Sequence, residues 1–307
     1  MALVIGNATV ATAMSPLVED ALYADEIFRD GVTFSSRYDV GNAGQIQVIK
    51  YTPDTSITPG VPGSDFTDTE YSNTVMEINC NNSFQKSVKV PNYFENTIPS
   101  NLLVSKTYEV TESLRVGRMK SGIGVLCHDG TEAAYKTALS SVNLKTAILT
   151  DRAKLRKKNA NPKVVIASVD TYMKMLQMAG TEYTPVMNER MNSTAQVGTW
   201  LGMLWLECTI LGETNLKYRD SDGAEQPVDT TGIDYIMYDG MAFTIIDKLS
   251  MLRVKESEHF MGSKIQEEID TGFAVTNEDC VLVHKTSAEA SDEIALKSDE
   301  QGSAVVG

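Results

Sequence analysis

The sequence predicts an α+β protein, and three observations carry that reading. A helix–strand–helix unit spans Ser141–Ala179, and a series of short alternating runs fills Ile233–His284. Between 45 and 90 the chain alternates like strands but holds too few large apolar residues for a core of its own. An isolated two-stranded ribbon is marginal in water, so that stretch needs a surface outside itself.

Taken in order, residues 1–14 are small and apolar without a period, which reads as an extended arm. Leu17, Ala21, Ala24 and Phe28 repeat at helical spacing behind Ser15 as N-cap and Pro16 at the first helical position, with Gly31 closing the helix. Val32–Val40 and Gln45–Tyr51 alternate as half-buried strands do. Thr52–Thr69 carries Pro53, Pro59, Pro62, Gly60 and Gly63 and reads as a long exposed loop tip. Asn73–Cys80 and Ser83–Val90 return as strands around an Asn81–Asn82 turn, making 45–90 a long two-stranded excursion.

Within Thr107–Cys127, Val116, Met119, Ile123 and Leu126 share one helical stripe. Gly117, Gly122 and Gly124 each cost that helix about 1 kcal/mol relative to Ala. Burying each apolar side chain returns roughly 1.5–3 kcal/mol. Burial wins, with a kink near Ser121–Gly124 as the expected trace of the glycines.

In the unit Ser141–Ala179, Leu144, Ala147, Ile148 and Leu155 lie on one helical face. Arg152, Lys154, Arg156, Lys157 and Lys158 crowd the helix end, where cations complement its dipole, and Asn159–Pro162 stops it. Val164–Ser168 is apolar on both faces and predicts a buried strand. Ser168 or Asp170 then caps a helix over Thr171–Met178 that ends at Gly180. Beyond it, Gly198–Gly202 introduces an apolar strand over Met203–Leu211, and Tyr218–Thr231 reads as a polar loop. Ile233–Tyr238, Met241–Ile246, Met251–Glu256, Gln266–Val275 and Cys280–His284 predict one antiparallel sheet. Thr286–Gly307 is rich in Ser, Ala, Asp and Glu and predicts a disordered tail.

The chain's 41 acidic and 27 basic residues give a formal charge of -14, which disfavours general nucleic-acid binding but suits a wall that faces DNA without adhering to it. Cys80, Cys127, Cys208 and Cys280 form no CxxC pair and read as reduced thiols. The N-terminus lacks a basic region and a sustained apolar run, so no cleaved signal peptide is expected. No apolar run approaches membrane-spanning length, and the expectation is a soluble intracellular product.

Candidate chemistry is sparse. Cys127–His128 suggests a nucleophile and base, but adjacent residues rarely present both side chains to one point, and no supporting acid lies near. Glu256 and Glu258 would share one strand face as an acid pair, although charged residues also blunt strand edges. Gly117–Gly122 has phosphate-loop glycine spacing, yet Ile123 and Gly124 stand where Lys and Ser/Thr are required. Gly122-Ile-Gly124 has Cys127 in place of a dinucleotide fingerprint's third glycine, and Ala224 breaks the calcium-loop pattern begun at Asp220. Asn7 and Asn192 have glycosylation spacing, which is without meaning in a non-secreted chain. The basic run Arg152–Lys158 reads as a solvated helix end or as a contact for an acidic neighbour, such as a second copy. No catalytic, cofactor-binding or metal-ligating residue is assigned, and no cofactor is expected.

The order of parts resembles the major capsid proteins of tailed bacteriophages, whose fold is shared by encapsulin shells. NPKVVIASVDTYMKML at 161–176 looks like the strand–helix entry of the apical domain, and VGTWLGMLWLECTIL at 197–211 like its glycine-marked central strand. DYIMYDGMAFTIIDKLSMLRVKESEHF, followed by GFAVTNEDCVLVHK, looks like the closing strands. The resemblance implies an N-terminal arm and helix (1–31), a first peripheral strand (32–44) and an extended two-stranded loop (45–100). A spine helix with part of the peripheral domain (101–140), a mixed α/β apical domain (141–230), a peripheral antiparallel sheet (231–285) and an acidic tail (286–307) follow.

It further implies a structural protein rather than an enzyme, self-assembling as pentamers and hexamers into an icosahedral virion shell around double-stranded DNA. The partners implied are a scaffolding protein and a portal, with no membrane, and assembly takes place in the host cytoplasm. No local pattern assigns the lysine–asparagine cross-link of some relatives. No long charged scaffold segment precedes the arm, so the expectation is a separate scaffold or an already mature chain. The alternatives are an encapsulin-like compartment shell and, last, a hydrolase using Glu256 and Glu258.

Overall fold

A computed structural model of the protein describes residues 27–28, 31–36, 45–51, 73–91, 102–185, 197–212, 216–220, 223–256 and 261–286. The first half contributes β1 (Gln45–Tyr51), β2 (Asn73–Asn79), β3 (Asn82–Pro91), α1 (Leu102–Asp129) and β4 (Thr131–Tyr135). Next come α2 (Leu144–Lys157), β5 (Val164–Ser168), α3 (Val169–Ala179), β6 (Thr184–Pro185), β7 (Val197–Trp200) and β8 (Met203–Cys208). The remainder is β9 (Lys217–Arg219), β10 (Glu225–Pro227), β11 (Ile233–Tyr238), β12 (Phe243–Glu256), β13 (Gly262–Val275) and β14 (Val281–Thr286).

Strand β5 sits inside a mixed seven-stranded sheet of order β4-β14-β11-β5-β8-β7-β6. It pairs parallel with β8 and antiparallel with β11. Its alternate residues feed different layers: Val164 and Ile166 pack with Ile123 and Leu126 of α1, whereas Val165 and Ala167 pack with Leu144 and Ile148 of α2 and Tyr172 of α3. A strand covered on both faces has to be apolar throughout, as VVIA is. Ser168 caps α3 by accepting from the Thr171 amide, and Gly180, at φ +46, ends it.

The second sheet has three strands in the order β12-β13-β3. Its inner face (Val90, Leu252, Ile265, Ile269) packs on Val110 and Leu114 of α1. The same helix thus covers this sheet with its first half and the larger sheet with its second. Gly124 lets the backbone of β9 approach α1, since a Cβ there would lie 2.5 Å from the Lys217 carbonyl oxygen. Gly122 makes room for the Phe28 ring in the same way. The helix runs unbroken through Ser121–Gly124 and begins at Leu102, five residues ahead of the predicted start, with His128 in its last turn.

Several expectations need correction. The strands of 233–284 do not form one sheet: β11 and β14 belong to the seven-stranded sheet, and β12 and β13 form a long hairpin in the other. The runs predicted at 241–246 and 251–256 are one strand, because a register shift between Asp247 and Leu249 inverts the alternation half-way. Asn81–Asn82 joins two sheets rather than two strands of a hairpin: β2 pairs with β1, and β3 with β13. Tyr218–Thr231 is not a loop throughout, since β9 and β10 pair within it. Of Val32–Val40, the described part is a turn at 31–33 and a single parallel bridge from Ser35 to Thr244. The arm 1–14, the helix behind Ser15, the loop tip 52–69 and the tail 287–307 lie outside the described residues.

Candidate functional site

The sequence-level candidates do not converge. Cys127, in the last turns of α1, packs against the core, and burial, with Cys208 nearby, pushes its thiol up to about 12. A thiol that weakly acidic is not a nucleophile at neutral pH. His128 points elsewhere, stacked on the Tyr218 ring at 3.9 Å and bonded to Asp129 at 2.7 Å. Glu256 is exposed at the end of β12, and Glu258 lies outside the described residues. Asp220 builds a tight turn, its Oδ1 accepting from the Ala224 amide at 2.8 Å and its Oδ2 from Gln226 at 3.0 Å. None of the four cysteines forms a disulfide. Among the described residues no cluster of His, Cys, Asp and Glu has metal-site spacing, and no helix is long and apolar enough to cross a membrane.

The basic helix end is partly engaged within the chain. Arg152 donates to the Leu201 carbonyl at 2.7 Å, and Lys158 pairs with Asp279 at 2.7 Å. Lys154 reaches Tyr135 and Asp151, while Arg156 and Lys157 face solvent.

One polar centre escaped sequence reasoning. Asp151 of α2 is completely buried and accepts from His284 Nδ1 on β14 at 2.8 Å, from the Tyr235 hydroxyl on β11 at 2.8 Å and from the Tyr135 hydroxyl on β4. Burial alone would raise its carboxyl, but the bonds from His284, Tyr135, Tyr235 and Lys154 outweigh burial and hold it below the usual range. The imidazole is sandwiched between Tyr135 (4.2 Å) and Tyr235 (4.5 Å). Asp234, whose carboxylate lies 3.9 Å from His284 Nε2, is pushed up by burial. The cluster ties α2 to three strands, β4, β11 and β14. The available signal was Asp151 itself, a charged residue in register with Leu144, Ile148 and Leu155 on the buried helical stripe.

The remaining candidates are surfaces. Two shallow depressions lie at the three-stranded sheet. One, of about 360 Å³, spreads over its open face among Gln85, Ser87, Met251, Arg253, Gln266 and Glu268. The other, of about 340 Å³, runs between β3, α1 and the β9–β10 hairpin past Phe84, Lys86 and Tyr218. The β1–β2 hairpin is held at one end by Ile78, which packs on Ile246 and Ala274, with Ile46, Met76 and Cys80 around them. Among the described residues this anchor has three buried side chains, Ile78 from the hairpin and Ile246 and Ala274 from β12 and β13. Met261, at the turn between β12 and β13, is 87% exposed, and Val142 ahead of α2 is 86% exposed.

No protein-family model matches the chain, and no curated protein matches it in sequence. Solved structures do match. The capsid of cyanophage P-SCSP1u aligns with a TM-score of 0.63 at 11% identity, over 86% of this chain and 92% of that one. The mature capsid of bacteriophage PhiM1 gives 0.59 at 12% identity, over 86% and 90%. This chain has the capsid shell fold. A virus-like particle from Pyrococcus furiosus carries the same shell fold, at 0.59 and 9% identity over 91% of this chain and 99% of that one. At such identities the likeness is one of fold, carried by layers and strand order rather than by shared residues.

Proposed function

We propose that this chain is the major capsid protein of a tailed bacteriophage, a structural subunit without catalytic residues, cofactor or metal. Residues 1–31 act as the N-terminal arm, 45–100 as the extended loop, 101–140 around the spine helix and 141–230 as the apical domain. Residues 32–44 and 231–285 form the peripheral domain, and 286–307 an acidic tail. Copies assemble as pentamers and hexamers into an icosahedral head enclosing double-stranded DNA, with a scaffolding protein and a portal as assembly partners. Assembly takes place in the host cytoplasm, and the product is the virion shell.

The observation that carries this reading is the fold match to phage capsids over 86% of the chain and at least 90% of theirs. The β1–β2 hairpin supports it, because it is a separate two-stranded sheet and such a ribbon gains from a neighbour's surface. At -14 per copy, long-range repulsion opposes assembly but is screened within about 8 Å at physiological salt. Light scattering with negative-stain imaging of the purified protein tests the proposal: uniform shells, or rings of five or six, are expected. A strict monomer that resists scaffold and crowding would overturn it.

A second reading, a protein compartment shell, draws on the likeness to the Pyrococcus furiosus virus-like particle. DNA-free particles that co-purify with a cargo protein would favour it.

A further inference from the structure

The basic end of α2 holds more charge than the fold around it uses. Lys158 is paired with Asp279, and Lys154 lies over the Tyr135 ring, 4.5 Å from its centre. Arg156 and Lys157, between them, are exposed and make no ion pair among the described residues. In a chain of 41 acidic and 27 basic residues, cations gathered at one helix end call for an anionic partner.

A segment of complementary charge leaves the fold beside that turn. Thr286, the last residue of β14, is anchored by its amide on the Gly232 carbonyl at 2.8 Å and by its hydroxyl on Asp234. Its register partner on β4 is Tyr135, whose hydroxyl accepts from Lys154, so one side chain bridges the anchor to the basic turn. Residues 287–307 continue from Thr286 with Glu289, Asp292, Glu293, Asp299 and Glu300 against a single base, Lys297.

The reach is sufficient. Lys158 pairs with Asp279, two residues ahead of β14, so the basic turn lies back along that strand and a segment meeting it must reverse past Tyr135. That route follows β4, the end strand of the seven-stranded sheet, along the edge with no partner strand among the described residues. Asp292 and Glu293 stand six and seven residues beyond Thr286, about 20–23 Å of extended chain at roughly 3.3 Å per residue. The span to Lys157 is one strand spacing of about 4.8 Å, the Tyr135 side chain and one helical turn of about 5.4 Å. A second copy competes poorly, because a short tether holds these carboxylates at an effective concentration in the millimolar range.

We infer that residues 289–293 dock in cis on the turn of α2 that carries Lys154, Arg156 and Lys157, closing that surface to other polyanions. The contact belongs to the folded subunit and goes beyond the shell reading, which it does not require.

Carbodiimide coupling of the full chain, with light and heavy isotopic forms mixed equally before any assembly, reads the contact by peptide mass spectrometry. Amide links from Lys154 or Lys157 to Glu289, Asp292 or Glu293 are expected, joining light to light and heavy to heavy. Links that join light to heavy as often as like to like would put the segment on another copy and overturn docking in cis. Absence of any such link overturns the docking altogether.

The second measurement is affinity for a duplex oligonucleotide at about 0.05 M salt. The variant Glu289→Gln, Asp292→Asn and Glu293→Gln is expected to bind at least about tenfold more tightly than wild type, because Arg156 and Lys157 are uncovered. Adding Arg156→Gln and Lys157→Gln is expected to remove that gain. An unchanged affinity in the triple variant overturns the docking. So does a gain that survives the two helix substitutions, since lost net charge alone would then explain it. Neither result bears on assembly, so the shell reading stands or falls by its own test.

Discussion

The seven-stranded sheet and the three-stranded sheet are finished in opposite ways. In the larger sheet both faces are covered, and its most polar group, Asp151, is met on every side by Lys154, Tyr135, Tyr235 and His284. In the smaller, one face is covered by α1 and the other carries charge. Even its inner face holds Glu267, nearly buried, with Thr111 bonded to Oε2 and no partner on Oε1. The larger sheet is packed from both sides and still leaves two buried polar atoms, the Tyr238 hydroxyl and His284 Nε2, without a hydrogen bond, whereas the smaller has one packed face and one open one.

The largest effect that can break this contrast lies in the large sheet. Trp205 is fully buried, its ring 5.5 Å from Trp200 and its indole N–H donated to the Trp200 carbonyl. Trp205→Ala should cost about 3–5 kcal/mol, read as the shift of the urea midpoint of the monomer. A cost near zero would mean that the large sheet is not where monomer stability resides.

Asp151→Asn comes next, at about 3 kcal/mol near pH 7, because His284 and the two tyrosines lose a buried anion. It also has a pH signature. The folded carboxyl is held below its ordinary value of 3.8, so its stabilisation is complete above that value and drains away as pH falls through the depressed one. The gap between wild type and variant should therefore narrow below about pH 4.

Gly124→Ala tests the joint between the sheets. Overpacking against the Lys217 carbonyl costs about 1–3 kcal/mol, and the helix recovers about 1 kcal/mol by losing a glycine. A net loss near 1 kcal/mol by thermal denaturation is expected, whereas a gain would show that β9 yields freely.

The smallest effect has the opposite sign. Burial pushes the Glu267 carboxyl up, so its charged form works against folding above that raised value. Glu267→Gln should stabilise by about 1 kcal/mol at pH 7. That gain should fade as pH falls through the raised value toward the ordinary 4.5, in a denaturation series across pH. A loss at pH 7 would mean that the small sheet is as well satisfied as the large one.

What could be read in advance follows the same division. The Ser168 cap, the apolar β5 and the stop at Gly180 are signals confined to a few residues, and each survives in the fold. The split of 233–284 into two sheets stayed hidden because the register shift at Asp247–Leu249 makes one strand look like two. The Asp151 centre was invisible for a different reason. Its partners Tyr135, Tyr235 and His284 stand 16, 84 and 133 residues away, and only the strand order β4-β14-β11 brings them together.

Helix α1 passes into β4 through one residue, Gly130, whose Cβ position is closed off by the Leu126 carbonyl at 2.6 Å and the Val283 side chain at 2.8 Å. At about 1.5 Å per residue the helix is a rod of roughly 42 Å, with the small sheet at its far end and the Tyr135 strand at its near end. A tilt of about 5° at Gly130 would carry Leu102 through roughly 4 Å, by the same rise per residue. β4, clamped in parallel register to β14, would meanwhile hardly move. Ile123 and Leu126, buried in the core of the large sheet near that end of the rod, oppose such a tilt, so the rod and the large sheet move as one body.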